Sequence, residues 1–183
     1  MQKIGVPFII GSFLTLFLVN SCGSKYPKEI VSVDSLQALL NITQTELKAI
    51  DKAEINNKYS EIKENIAFIQ QNYNDTLTLE MAEFLGDYSL VLKAFESVKE
   101  EYAGLEKELE FSSKQLNSLK HDLQYNIIND DSVKIYCMRE DQAVKRNAKS
   151  VQAMQTALKR NIELCDKLTP QIRRLIESIK AKQ

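Results

Sequence analysis

Three cysteines, at positions 22, 137 and 165, and a single histidine, His121, carry the most reactive chemistry in this sequence. A thiolate is a nucleophile and a soft metal ligand, and an imidazole is a base near neutral pH. The spacing gives neither role a partner. His121 sits beside Asp122 within a helical stretch, with no second histidine or nearby cysteine to complete a zinc set. Cys137 and Cys165 are 28 residues apart on what reads as one helix. That separates them by about 42 Å, whereas a disulfide needs Cα atoms within about 7 Å. Both therefore read as small core residues, with an intermolecular bridge or a metal site as the alternative. No glycine-rich phosphate loop and no Gly-x-Ser-x-Gly elbow occurs. Carboxylates are numerous but fall mostly on polar helix faces. The sequence thus predicts neither catalysis nor a bound cofactor or metal.

Cys22 stands in a different setting. Lys3 supplies a positive start, positions 4–19 are almost wholly apolar, and the run ends Leu18-Val19-Asn20-Ser21-Cys22-Gly23. This run is shorter than the ~20 residues that span a bilayer and matches a cleavable export signal. A small residue directly before a cysteine, behind such a run, resembles the lipobox of bacterial lipoproteins. Asn20 departs from the Ala or Ser more usual there. The resemblance covers residues 1–24 only. It implies cleavage of residues 1–21, a thioether-linked diacylglycerol on Cys22, and a further acyl chain on the new amino group. Two or more chains hold a protein stably on a membrane where one does not. Gly23 in place of an aspartate implies, by the same resemblance, the outer membrane. The run Gly23-Ser24-Lys25, which is not acidic, implies its periplasmic face. Residues 22–33 include Ser24, Pro27 and Ser32, show no helical period, and read as a lipidated tether.

Behind that address, residues 34–183 read as one all-α domain. Only 5 Gly, 3 Pro and no Trp occur in 183 residues, so little interrupts helices. Hydrophobic residues make up 44%, enough for a core. From Met81 the apolar positions run 84, 88, 91, 95, 98, 102, 105, 109, 116, 119 and 123, with Ser112 the one polar member of an alternating 3-and-4 series. That period winds as a left-handed coiled coil. Leu85, Leu92 and Phe111 lie beside the seam and widen the stripe, which favours a bundle. From Val133 a second seam runs through Cys137, Val144, Val151, Met154, Leu158, Cys165, Leu168, Ile172, Leu175 and Ile179, with Glu140, Asn147 and Asn161 as polar members. Buried Asn in such seams fixes register. Thr169-Pro170 interrupts this helix; the unbroken register favours a kink at Pro170 over a new helix capped by Thr169.

The first stretch is less regular. Leu36 to Ile50 and Ile55 to Tyr73 keep separate registers, so the supercoil should change near residues 51–55. Tyr59, Tyr73, Tyr88 and Tyr102 occupy seam positions and read as core. Turn signals at residues 74–76 and 126–131 give helices of about 34–73, 78–125 and 132–180, with Asp131 or Ser132 capping the last. Each is about 60–70 Å long. The expected fold is an elongated antiparallel three-helix bundle or coiled coil, its last helix kinked near Pro170. An intertwined dimer satisfies the same heptads.

Charge bears on partners. Residues 77–125 hold ten acids and five bases, and residues 132–183 hold five acids and twelve bases. Opposite fields favour packing these helices side by side. The whole chain has net charge −1, without the basic excess that nucleic-acid binding needs. With the anchor at the start, the turn at 126–131 should lie near the membrane, and the turn at 74–76 and the C-terminus away from it. The expected role is a membrane-anchored, non-catalytic element of the bacterial envelope that holds another envelope protein. The body broadly resembles the small coiled-coil lipoproteins of Gram-negative envelopes. The alternatives are a holdase, similar to periplasmic chaperones built on helical hairpins, and a small-ligand binder using a pocket near Asn147 or Asn161.

Overall fold

The computed structural model describes residues 23–182. Four helices appear: α1 Pro27–Lys48, α2 Lys52–Asn72, α3 Leu79–Gln124 and α4 Asp130–Lys180. No strand occurs among the described residues. The α1–α2 pair forms one bent leg that packs against both α3 and α4, and α3 and α4 share the most extensive interface. The result is the all-α three-legged bundle that the heptads predict.

The seams are where the sequence places them. From Tyr88 to Leu123, every seam position of α3 is buried, Ser112 included. Met81 and Phe84, nearer the start of the helix, are half-buried. In α4, Val133, Val144, Asn147, Val151 and the positions onward to Ile179 are buried, whereas Cys137, Glu140 and Asn161 are half-buried. Phe111, expected to widen the stripe, is instead 62% exposed. Three legs leave α3 no neighbour on that flank.

The first leg differs most from expectation. Helix begins at Pro27, not at residue 34, and Val33 is fully buried. The residues expected as a tether are therefore helical from Pro27 onward. Proline at the first helical position is a start signal, because its missing N–H has no intrahelical partner there. Glu29 in the first turn complements the dipole.

The register change near residue 51 is a full break. Ile50 and Ile55 are five residues apart, which rotates the apolar face by about 140° on a continuous helix. The helix ends at Lys48, with Ala49 as C-cap, and restarts with Asp51 as N-cap, its carboxylate accepting from Ala53 N at 2.9 Å and Glu54 N at 3.0 Å. Leu47, Ile50 and Ile55 all remain buried as a result.

The long helices are joined at one end by a compact turn. Asn126 adopts φ 54°, the left-handed conformation that Asn tolerates. Ile127 N then donates to Asp122 O at 2.9 Å and Asn126 N to Leu123 O at 3.4 Å, the Schellman pattern that satisfies the last carbonyls of α3. Asn129, two or three residues earlier than expected, caps α4 by accepting from Asp131 N at 3.3 Å. At the far end of α4 the helix passes through Pro170 without a break. Pro170 cannot donate to the Asp166 carbonyl, and the Thr169 hydroxyl donates to the Cys165 carbonyl at 2.8 Å. Both bend a helix locally.

Ion pairs distribute unexpectedly. Among the described residues none joins α3 to α4, despite their opposite charge. The pairs between legs run from the first leg, Lys120–Asp34 at 2.7 Å, Arg173–Glu61 at 2.7 Å, Lys58–Asp166 at 2.5 Å and Lys52–Glu106 at 4.0 Å. The opposite charges of α3 and α4 are therefore not expressed in contact pairs, which at exposed positions would contribute little.

Candidate functional site at the base of the bundle

Cys22, the candidate lipidation residue, lies outside the described residues, one position before Gly23. The segment 24–26 is held firmly. Ser24 Oγ donates to the Leu123 carbonyl at 2.6 Å and accepts from Tyr26 N at 3.0 Å. Lys25 N donates to Asn126 Oδ1 at 3.0 Å, and its ammonium pairs with Asp130 at 2.6 Å. The Tyr26 hydroxyl donates to the same Asp130 carboxylate, and its ring is buried. The hydrogen bond from Lys25, then that from Tyr26, holds the Asp130 carboxyl below its ordinary range. The bond to Asp130 likewise raises Tyr26 and Lys25. The segment just after Cys22 is thus clasped to the α3–α4 turn. We call this end the base.

Beside the clasp lies a cleft of about 400 Å³, lined by Asp122, Ile127, Asn129, Ser132, Tyr136 and Glu140 among others. Glu140 is half-buried, and burial alone pushes its carboxyl upward. The opposite end, the tip, is built from the α2–α3 connection and the C-terminus. Lys182 Nζ approaches Asp75 at 3.9 Å there. A second cleft of about 370 Å³ lies between Ile66, Tyr73, Leu77 and Leu85. The ends are arranged as the up-down-up topology requires, with residue 23 and the 125–129 turn together and the C-terminus beside residue 75.

Compared with family models, curated protein sequences and solved structures, the chain matches none.

The remaining polar and reactive residues do not converge. His121 is exposed, with Nδ1 3.3 Å from Asp122 Oδ1 and its ring against Tyr125. Cys137 and Cys165 are both free, half-buried and buried, and burial pushes each thiol upward. A raised thiol is mostly protonated near neutral pH and is a poor nucleophile. Asn147 donates through Nδ2 to Ser112 Oγ at 3.3 Å, so the two polar breaks in neighbouring seams meet. Its Oδ1 is buried without a hydrogen-bond partner. Asn161 instead bonds its own helix, donating to the Ala157 carbonyl at 2.8 Å. It lies 14 positions from Asn147, about 21 Å along the helix.

The clasp is the feature that sequence reasoning misses. Ser24, Lys25 and Tyr26 pair with partners about a hundred residues away, which no local pattern reveals. The one sequence signal is Pro27 followed by Glu29, a helix start that leaves Tyr26 at its boundary rather than in a tether.

Proposed function

We propose that this chain is a lipid-anchored, non-catalytic lipoprotein of the bacterial envelope, whose rod stands on its base and offers its tip to another envelope protein. One observation carries the reading. A lipobox-like segment ends at Cys22, and the chain directly after it is fastened to one end of a rod about 70 Å long. A lipid there makes that end the membrane end, and the far end the reaching end. The residues after Cys22 favour the periplasmic face of the outer membrane. No helix among the described residues is long and apolar enough to cross a membrane, so any hold on the bilayer must come from outside them or from their surface. The covalent lipid is the only non-protein group the reading requires.

Site-specific photo-crosslinking in the source cells tests the partner half of the reading. Crosslinkers placed at Leu77 and Leu79, which are 42% and 77% exposed, should capture one dominant envelope protein, and Cys22→Ala should abolish that capture. A broad ladder of unfolded clients would instead support a holdase. Capture unchanged by Cys22→Ala would sink the anchored-adaptor reading.

A further inference from the structure

Exposed large apolar side chains are unevenly spread. Of the eleven among the described residues, six sit at the base: Val31, Tyr125, Ile127, Ile135, Tyr136 and Met138. Met138 is eight positions into α4 and Val31 four into α1, so the group occupies roughly the last 12 Å of the rod. Tyr125 is 67% exposed and Ile127 63%. None of the six belongs to the buried core; Tyr125 rests only against the exposed His121 ring.

We infer that the base itself is a membrane-contacting surface, with Tyr125, Ile127 and Tyr136 resting in the interfacial layer of the bilayer. The inference builds on the lipid-anchor reading above. Ser24 is bonded to Leu123, and two residues of chain reach at most about 7 Å. Acyl chains on Cys22 therefore enter the bilayer beside this surface, which makes lipid the apolar phase within reach. Charge points the same way. Lys25, Lys28, Lys120, Lys134 and Arg139 are balanced at the base by Glu29, Asp34, Asp122, Asp130 and Asp131, so apolar burial rather than attraction to anionic lipid holds it there. Tyrosine is suited to such a boundary, with an apolar ring and a polar tip, and the lysine stems can reach headgroup phosphates. The consequence is mechanical. The clasp leaves no slack between lipid and bundle, and a base seated in the interface holds the rod upright instead of letting it swing.

The protein has no tryptophan, so single indoles report cleanly. Ile127→Trp and Tyr136→Trp would be compared with Leu90→Trp and Phe111→Trp, all at exposed positions. Each lipidated protein would be placed in phosphatidylcholine–phosphatidylethanolamine vesicles with brominated acyl chains, and Cys22 acylation verified by mass spectrometry. The base indoles should be quenched several-fold more than the other two, and high salt should not change this. Equal, weak quenching in protein with acylated Cys22 would overturn the membrane-contacting base while sparing the anchor. A blue-shifted base indole that bromine does not quench would mean that protein, such as a second copy, covers the patch, and would overturn the lipid assignment. An unmodified Cys22 would overturn both readings.

Discussion

The base and the tip of this rod are held by different means. At the base, a backbone carbonyl, an Asn side chain and a carboxylate grip three consecutive residues, one of them a buried tyrosine. At the tip, the C-terminal turn meets the α2–α3 connection through one long pair, Lys182–Asp75 at 3.9 Å, with both side chains about three-quarters exposed. Pairs of that kind contribute little. The base is therefore part of the folded block, and a force or orientation imposed just before Gly23 is passed to the whole bundle. Between the C-terminal turn and the α2–α3 connection, no comparable polar clasp occurs among the described residues.

The largest expected effect comes from hollowing the base core. Leu123 is fully buried, so Leu123→Ala should cost about 2–5 kcal/mol. Leu79→Ala at the tip, where the side chain is 77% exposed, should stay within ~0.5 kcal/mol. Urea unfolding of the two variants measures the contrast, and equal losses would erase it.

The two ends depend on the register of α3 against α4, which the Asn147–Ser112 contact marks. Replacing both, Asn147→Leu with Ser112→Ala, removes a buried unsatisfied oxygen and should stabilise by about 1–3 kcal/mol. It should also admit slipped or oligomeric forms, because an apolar seam no longer selects one register. Sedimentation velocity would detect them, and a more stable, strictly single species would show that Asn147 does not set register.

Smaller effects separate the ends again. Ser24→Ala should cost about 1 kcal/mol through its lost bond to Leu123 O. It should also speed amide exchange in residues 24–30. Lys182→Ala should change neither stability nor exchange beyond its own turn. Comparable exchange changes at both ends would break the contrast between them.

Two carboxylates at the base should respond to pH in opposite directions. Burial raises Glu140 in the folded state, so its charge opposes folding above that raised value, and the penalty is absent below the unfolded value. Glu140→Gln should therefore raise Tm at neutral pH, with the gain fading in acid. Asp130 is lowered by Lys25 and Tyr26, so its contribution is present above the unfolded value and lost as pH falls through the folded one. Asp130→Asn should lower Tm at neutral pH and not in acid. Thermal melts across that range give the signs directly.

Much of the fold is legible in sequence because seams are local patterns. Alternating threes and fours around Tyr88, Phe95 and Leu109, and around Val151, Met154 and Ile172, forecast burial almost residue by residue. The less regular leg is harder. Its five-residue step from Ile50 to Ile55 signals a change of register, but whether a helix bends or breaks there depends on capping by Asp51, a choice made in three dimensions. The start of α1 falls earlier than spacing suggests because Ser24, Pro27 and Ser32 resemble a linker, although proline also begins helices. Contacts at the base depend on long-range topology, so neither the clasp nor the exposed patch around Ile127 can be read from spacing.

The central claim is that the rod is fixed to a membrane through Cys22, at its clasped end. Mass spectrometry of the N-terminal peptide, from protein extracted from the membranes of its own cells, tests it most directly. The account predicts a chain that begins at Cys22 and carries a diacylglycerol thioether. A peptide retaining residues 1–21, or beginning elsewhere with an unmodified Cys22, would contradict it.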